Sequence, residues 1–491
     1  LYKVGSRKKT EAMQSPIINF YNGRSIFITG GTGFMGKVLI EKLLRTCTGI
    51  KHIYVLMRAK RAHQPADRLN ELVKSRLFDI VRNKQPNFID KLVIVEGDVT
   101  LPQMGLSPGD IATLCREVSV VFHSAATVRF DDPLKQSIAI NVIGTKNVIE
   151  LCRRMRSVAA IVHVSTAYAN CDKPIIEERF YPTDESPQQL MQLTEWMSES
   201  MLQALKPELL RARPNTYTYT KAMAEAYLIN EAYDLPVIIC RPSIVVASWR
   251  EPVRGWIDNF NGPTGVLLAV GKGLVRSMYC NKSCTADIIP VDVLGTWPAL
   301  GQLFHCTSGS INPITWGQVQ TFVVALLRIY PSIQVFRYPN GNFEASKRLD
   351  TFYRKTLHYL PAYIFDFVSR MCGRRPILVK VFEKFDKAAD VLSPFTTNDW
   401  LFRNSKTTTL RNQMTPEDRE CFNFDISKLH WQTFFADYVL GVRHYLLKED
   451  QRTLTQARRN LSIVYYRNLA LQILLTVSCA ALVVTPIMSF F

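Results

Sequence analysis

The chain has 491 residues, 47% hydrophobic and 21% charged, a composition that buries large cores and excludes a mostly disordered, collagen-like or disulfide-scaffold protein. At roughly 150 residues per domain there is room for about three folded units. Lysine and arginine outnumber aspartate and glutamate by 60 to 42, a net charge of +18; no long basic block concentrates that excess, which argues against nucleic acid and leaves an anionic surface or a polyanionic small substrate.

The 11 cysteines are scattered and odd in number, as in a reducing compartment. Cys280, Cys284, His305 and Cys306 lack a second closely spaced cysteine pair, so no metal site is expected. Residues 1–24 read as a flexible basic leader without the apolar run of a secretory signal. From Ser25 onward strand-like runs alternate with helical periodicity: Ser25–Thr29, Ile53–Met57, Leu92–Val95, Val118–Phe122, Ala159–Val164 and Pro236–Cys240. Between them lie helices such as 67–83, in which Leu69, Leu72, Val73, Leu77, Ile80 and Val81 keep one apolar face. Repeated βα units predict an α/β, Rossmann-type doubly wound parallel sheet, assigned with substrate-binding insertions to 25–350. Beyond about residue 350 strand signals fade, and aromatic-rich helical stretches, 431–447 among them, predict a mainly helical C-terminal domain over 351–460. The stretch Leu357–Val368, interrupted by Pro361 and Asp366, is too short to span a bilayer and reads as a buried or interfacial helix. Arg467 is the last charged residue, and the 24 residues from Asn468 to Phe491 carry none. Such a helix is roughly 35 Å long against a hydrocarbon core of about 30 Å. The segment 468–491 is therefore expected to be a C-terminal transmembrane helix, with Arg458, Arg459 and Arg467 leaving the preceding chain in the cytosol. A buried terminal helix is the alternative, favoured by Pro486, Gln472, Thr476 and Ser478.

The first strand runs into Thr29-Gly30-Gly31-Thr32-Gly33-Phe34-Met35-Gly36 and an amphipathic helix. Glycines at 30, 33 and 36 permit a tight turn, close backbone approach to a pyrophosphate, and close packing of helix on sheet. Strand, motif and helix in that order point to dinucleotide binding. The second strand ends in Met57-Arg58-Ala59-Lys60-Arg61 rather than in a carboxylate, so Arg58 and Arg61 favour the 2′-phosphate of NADPH.

Tyr217 and Lys221 lie four apart in a helical segment and share a face. A lysine ammonium near a tyrosine makes the phenol a better proton donor to an oxygen gaining charge during hydride transfer. Upstream, the strand ending at Val164 leads into Ser165-Thr166-Ala167-Tyr168, hydroxyls at the carboxyl edge of the sheet, where ligands of such folds bind.

Together these residues resemble the extended short-chain dehydrogenase/reductase superfamily. The resemblance implies that Thr166 hydrogen-bonds the substrate carbonyl, Tyr217 protonates it, and Lys221 holds the nicotinamide ribose; Ser165 competes with Thr166 for the first role. It further implies that Asp98-Val99 contacts adenine, that Ser124-Ala125-Ala126 lines the cofactor cleft with Asn141 in the helix beyond, and that Arg241-Pro242-Ser243-Ile244 lies beside the nicotinamide. His123, with no carboxylate in its motif, reads as structural. Gly97-Asp98-Val99 leading to Leu101-Pro102 and Gly105-Leu106-Ser107 resembles the thioester-reducing branch shared by fatty acyl-CoA reductases and carrier-protein reductase domains; His163 through Asn170 resembles the fatty acyl-CoA reductases in particular; and, past residue 390, Ser393-Pro394-Phe395-Thr396-Thr397-Asn398-Asp399-Trp400 with the run from Phe424 to Glu449 resembles the C-terminal domain of the alcohol-forming fatty acyl-CoA reductases. That family implies NADPH-dependent reduction of a long-chain acyl-CoA to the primary alcohol through a bound aldehyde, releasing CoA and supplying wax or ether-lipid precursors. It also implies a membrane partner, in the endoplasmic reticulum or the peroxisome. The rival readings are another membrane-bound extended short-chain dehydrogenase, either a hydroxysteroid dehydrogenase or an aldehyde-releasing thioester reductase, and a non-catalytic scaffold.

Overall fold

Short apolar runs flanked by loops become the strands of one parallel sheet. In the computed structural model, which describes residues 15–59, 64–293 and 303–488, they are β1 (Ser25–Thr29), β2 (Ile53–Met57), β3 (Leu92–Glu96), β4 (Val118–His123), β5 (Ala160–Val164), β6 (Val237–Pro242) and β7 (Leu303–Cys306). Their spatial order is β7-β6-β5-β4-β1-β2-β3, every pairing parallel. All five residues of β1 are buried because both faces of the sheet are covered. Ile26 and Ile28 enter one hydrophobic core and Phe27 the other, as the two-residue period of a strand requires. The chain leaves β1 toward β2 and returns at β4, which opens a crevice at the carboxyl ends of β1 and β4.

The helices used below are α1 (Phe34–Thr46), α2 (Pro65–Lys74), α3 (Thr216–Glu231), α4 (Trp316–Ile329), α5 (Leu360–Met371), α6 (Leu378–Thr397), α7 (Ser405–Gln413), α8 (Trp431–Gly441) and α9 (Leu454–Met488). The helix expected over 67–83 is broken at Ser75, after which Asp79–Lys84 forms a separate helix. Arg82 donates to the carbonyl oxygens of Val73 and Ser75, covering acceptors that a continuous helix would have satisfied. The apolar face survives the break, with Leu69, Leu72, Val73, Leu77 and Val81 all buried. Of the leader, residues 15–24 carry a short helix, Pro16–Tyr21, with Ile17 and Tyr21 buried.

The helical C-terminal region is joined tightly to the sheet. Trp431, Phe434, Phe435, Tyr438 and Val439 of α8 are buried in the same core as α4, and the Tyr438 and Thr264 hydroxyls are 2.6 Å apart. Residues Leu401–Phe402 pair in parallel with Ile175–Ile176. Glu178, buried, accepts from the amide and hydroxyl of Thr407 (3.1 and 2.6 Å) and from the amide of Lys406 at the start of α7, where a carboxylate meets unpaired amides and the positive end of the helix. Asp366, which interrupts the apolar stretch 357–368, similarly accepts from the amides of Ile377, Leu378 and Val379, each at 3.0 Å. Tyr363, Ile364 and Phe367 of that stretch are exposed, so it is not a buried helix.

The transmembrane expectation is corrected. Among the described residues no helix is long and apolar enough to cross a membrane. The last helix, α9, is continuous from Leu454 to Met488, so the charge-free run is the far part of a helix that also bears Arg458, Arg459 and Arg467, with Gln472, Thr476 and Ser478 interspersed. Its first turns dock on the protein: Ala457, Leu461 and Val464 are buried. Arg458, Asn460 and Arg467 donate to the carbonyls of Ile329, Ile333 and Phe336 at 3.0, 3.1 and 3.0 Å. The anchor at 468–491, the membrane partner, and the placement in the endoplasmic reticulum or peroxisomal membrane lose the structural feature on which they rested.

Candidate active site

The glycine motif folds as a cradle at the carboxyl end of β1. Gly30 has φ +75°, and a Cβ there would lie 2.6 Å from the Ala125 nitrogen; at Gly36 it would lie 2.3 Å from the Gly30 carbonyl oxygen. Only glycine fits either position. Helix α1 begins at Phe34 with Gly33 as its cap, no capping side chain, and no acidic residue in its first turn, leaving free amides and the positive helix end for an anionic diphosphate. The residues present thus fit a dinucleotide. Thr29 joins the cradle to the next strand: its hydroxyl accepts from the Ala125 amide at 3.3 Å and lies 2.8 Å from His123 Nδ1. Burial lowers the His123 imidazole to about 3, helped by the charge of Lys221. His123 is therefore neutral, and with Nε2 3.1 Å from the Thr145 hydroxyl it is a structural linker.

Arg58 at the end of β2 lies 3.5 Å from Asp98 beyond β3 and is 56% exposed, a surface pair that adds little stability but sets both groups beside the carboxyl ends of β2 and β3. Asp98 also accepts from the amide and hydroxyl of Thr100 at 3.0 and 2.9 Å, while Val99 is buried. Arg61 lies outside the described residues. The sequence reading missed Arg68 on α2, whose guanidinium donates to the Thr32 hydroxyl (2.7 Å) and the Arg58 carbonyl (2.9 Å), tying the cradle to the end of β2. Its only sequence signal is a basic residue one turn into the helix after the basic run. A cavity of about 550 Å³ opens here, bounded by Thr32, Lys37, Arg68, Arg76 and Trp256 and by Lys448 from the C-terminal region. Phe34 stacks on Trp256 with centroids 5.4 Å apart.

At the other end of the crevice stand the hydroxyls and α3. Asn215 caps α3 through its side chain, and the four-residue spacing sets Tyr217 and Lys221 on the face toward β5. Burial pushes the Tyr217 phenol up to about 12, and the neighbouring Thr166 hydroxyl opposes the rise. The Thr166 hydroxyl donates to the Pro242 carbonyl at 3.4 Å, tying the turn after β5 to β6. Lys221 is buried and donates to the Val164 carbonyl at 2.7 Å. Burial lowers its ammonium to about 8, opposed by the charge of Glu225. Ser165 instead turns its hydroxyl to Glu225, at 2.5 Å, in a buried setting. Asn141 accepts from the Thr127 amide at 3.0 Å and donates to the Thr220 hydroxyl at 2.9 Å, pinning the loop that follows Ser124-Ala125-Ala126 to α3. Ser243 and Ile244 are held beyond β6 by the carbonyls of Cys306 and Asp287, at 3.0 and 3.2 Å.

Aromatic rings complete the wall. Phe130 lies 5.7 Å from Tyr217 and 5.2 Å from Phe395, which is supplied by α6; Tyr168 lies 5.0 to 5.4 Å from Phe395, Trp400 and Phe402. The stretch 393–402 thus reaches the reactive edge of the sheet. Phenol, hydroxyl and buried cation stand at one end of a crevice whose other end carries the glycine cradle with Arg58 and Arg68, an arrangement suited to hydride transfer to a carbonyl.

Two models of the family described as male sterility protein match residues 28–296 and 357–449. Fatty acyl-CoA reductase 1 of Xenopus laevis is 41% identical over 458 residues, covering 91% of this chain and 89% of that protein. Its Homo sapiens counterpart is 39% identical over the same shares. Fatty acyl-CoA reductase 2 of Bos taurus is 37% identical over 473 residues, covering 93% of this chain and 92% of its own length. Among solved structures, the terminal R domain from the myxalamid PKS-NRPS biosynthetic pathway superposes with a TM-score of 0.54 at 18% identity, over 86% of this chain and 91% of that one. At that identity the likeness is one of fold.

Proposed function

The chain belongs to the fatty acyl-CoA reductase family, and on that premise we propose that it reduces a long-chain fatty acyl-CoA to the primary alcohol, with Thr166, Tyr217 and Lys221 as its catalytic group. When bound, NADPH supplies one hydride to the thioester carbonyl and, in a second turnover of cofactor, one to the aldehyde left when CoA thiolate departs. Thr166 and Tyr217 donate hydrogen bonds to the oxygen that gains charge in each step. Tyr217 gives up its proton where the oxygen must become a hydroxyl, and the buried ammonium of Lys221 favours the phenolate that remains. The glycine cradle with Thr29, Thr32 and the first turn of α1 (Phe34, Met35) binds the diphosphate. Arg58 and Arg68 take the 2′-phosphate, and Asp98, Val99, Ser124, Ala125, Ala126, Pro242, Ser243 and Ile244 line the cleft. No cysteine is required as acyl carrier.

The observation that carries this reading is the meeting, at the carboxyl end of β5, of Thr166, held to the Pro242 carbonyl at 3.4 Å, with the buried Lys221, held to the Val164 carbonyl at 2.7 Å on the helix that bears Tyr217 one turn earlier. The test is purified protein with NADPH and a panel of acyl-CoAs, following NADPH loss and free thiol together. Thiol release that depends on NADPH supports the reading. NADPH loss without thiol, on carbonyl substrates alone, overturns it in favour of an ordinary carbonyl dehydrogenase.

A further inference from the structure

Behind the catalytic group lies a buried ionic cluster that the chemistry above does not use. Glu225 follows Lys221 by one turn of α3. Its carboxylate is held by Arg241 of β6 through Nε at 2.8 Å and Nη2 at 2.5 Å, with both side chains shielded from solvent, and it accepts the Ser165 hydroxyl at 2.5 Å. Nη1 of Arg241 donates to the carbonyls of Glu177 and Arg179, at 3.4 and 3.2 Å, on either side of the Glu178 that caps α7, and lies 3.3 Å from Nε2 of the buried His305. A buried ion pair of this kind is weak evidence for stability, since well-packed apolar residues often serve as well.

We infer that Glu225 is a positioning residue for the reaction: clamped by Arg241 and Ser165, it sets a fixed negative charge one turn from Lys221 and ties the turn bearing Thr166 to α3. The other titratable groups around this end of α3 do not supply that charge. His123 on β4 and His163 on β5 are held neutral by burial, Tyr217 and Tyr168 keep their protons, and Arg241 is itself a cation. Glu225 is thus the anion that offsets the burial of the Lys221 ammonium. Through Ser165 the same carboxylate fixes the residue next to Thr166, so charge and geometry at the two ends of the catalytic group depend on one side chain.

The inference rests on the role given to Lys221, and the test separates the two. The pH dependence of kcat and of the KM for acyl-CoA is measured on the full chain for wild type, Glu225→Gln, Arg241→Gln, Ser165→Ala and Lys221→Met. In wild type kcat should fall as the pH rises through about 8, where Lys221 loses its proton. Glu225→Gln leaves two cations without an anion and should move that limb down by about one pH unit or more; Arg241→Gln frees the carboxylate and should move it up. Opposite shifts support the inference, whereas uniform losses with unmoved limbs in both variants overturn it. Should either variant fail to fold, judged by NADPH binding, Ser165→Ala decides: it removes a single hydrogen bond, and a roughly tenfold lower kcat at unchanged KM is expected, while wild-type kcat overturns the inference. Activity surviving in Lys221→Met refutes the role of the lysine itself. An inactive Lys221→Met with an unshifted Glu225→Gln refutes only that of Glu225.

Discussion

Replacing Tyr217 with phenylalanine removes one hydroxyl from the centre of the site and little else. The ring stays against Phe130, 5.7 Å away, and the Thr166 hydroxyl keeps the Pro242 carbonyl at 3.4 Å and the Tyr168 amide at 3.3 Å, so no buried polar group is orphaned. Stability should change by no more than about 1 kcal/mol, the net worth of one hydrogen bond. The catalytic loss is larger. A positioned general acid contributes about 10²- to 10⁴-fold, and because Thr166 can turn its one proton from the Pro242 carbonyl to the developing oxyanion, kcat should fall by about 10²- to 10³-fold, roughly 3–4 kcal/mol of barrier. Affinity for NADPH should be preserved, since the cradle, Arg58, Arg68 and Lys221 are untouched. The assay pairs steady-state NADPH oxidation on an acyl-CoA with NADPH titration by fluorescence and a denaturant melt. Wild-type turnover in a folded Tyr217→Phe protein would refute the assignment of the proton donor and direct attention to Tyr168 or Tyr219.

Arg68→Ala should raise the KM for NADPH far more than that for NADH, at least as strongly as Arg58→Ala, because Arg68 also braces Thr32 and the Arg58 backbone; equal effects on both cofactors would remove Arg68 and Arg58 from the phosphate site. Arg45→Ala strands Glu41, which is fully buried and paired with Arg45 at 2.8 Å, and should cost about 3–5 kcal/mol in a denaturant melt. A loss below about 1 kcal/mol would show that Glu41 is accommodated as the neutral acid, in keeping with the upward pull of burial on its carboxyl.

The sheet was legible because its strands are self-contained apolar runs: Ser25–Thr29 and Ile53–Met57 occur with the bounds their residues suggest. The short β7 carries His305 among its four residues and has no such signature. The glycine cradle was legible for a local reason too, since its constraint is written in consecutive residues. What could not be read is what depends on contacts across the fold. Arg68 meets Thr32 over 36 positions, and Glu178 caps α7 from more than 200 residues away. Glu225 was within reach, for it repeats the Tyr217-to-Lys221 spacing once more along α3, but its meaning comes from Arg241 and Ser165 on other strands. The C-terminal helix shows the opposite failure. Absence of charge over 468–491 looked decisive, yet the helix to which that run belongs starts earlier, with arginines whose carbonyl partners lie on the protein. Composition of a segment does not report where its helix begins.

Whether the aldehyde stays bound long enough for a second reduction is the point on which an alcohol-forming enzyme differs from a thioester reductase that stops halfway. The Phe130 ring beside Tyr217, backed by Phe395 and then Tyr168, gives an alkyl chain an apolar wall, and each CH₂ buried contributes about 0.8 kcal/mol to retention. The decisive measurement is the ratio of NADPH oxidised to CoA released at steady state, taken with an aldehyde-trapping amine present. Two NADPH per CoA, with primary alcohol as product and almost no trapped aldehyde, is the predicted result; a ratio of one with aldehyde accumulating would contradict it.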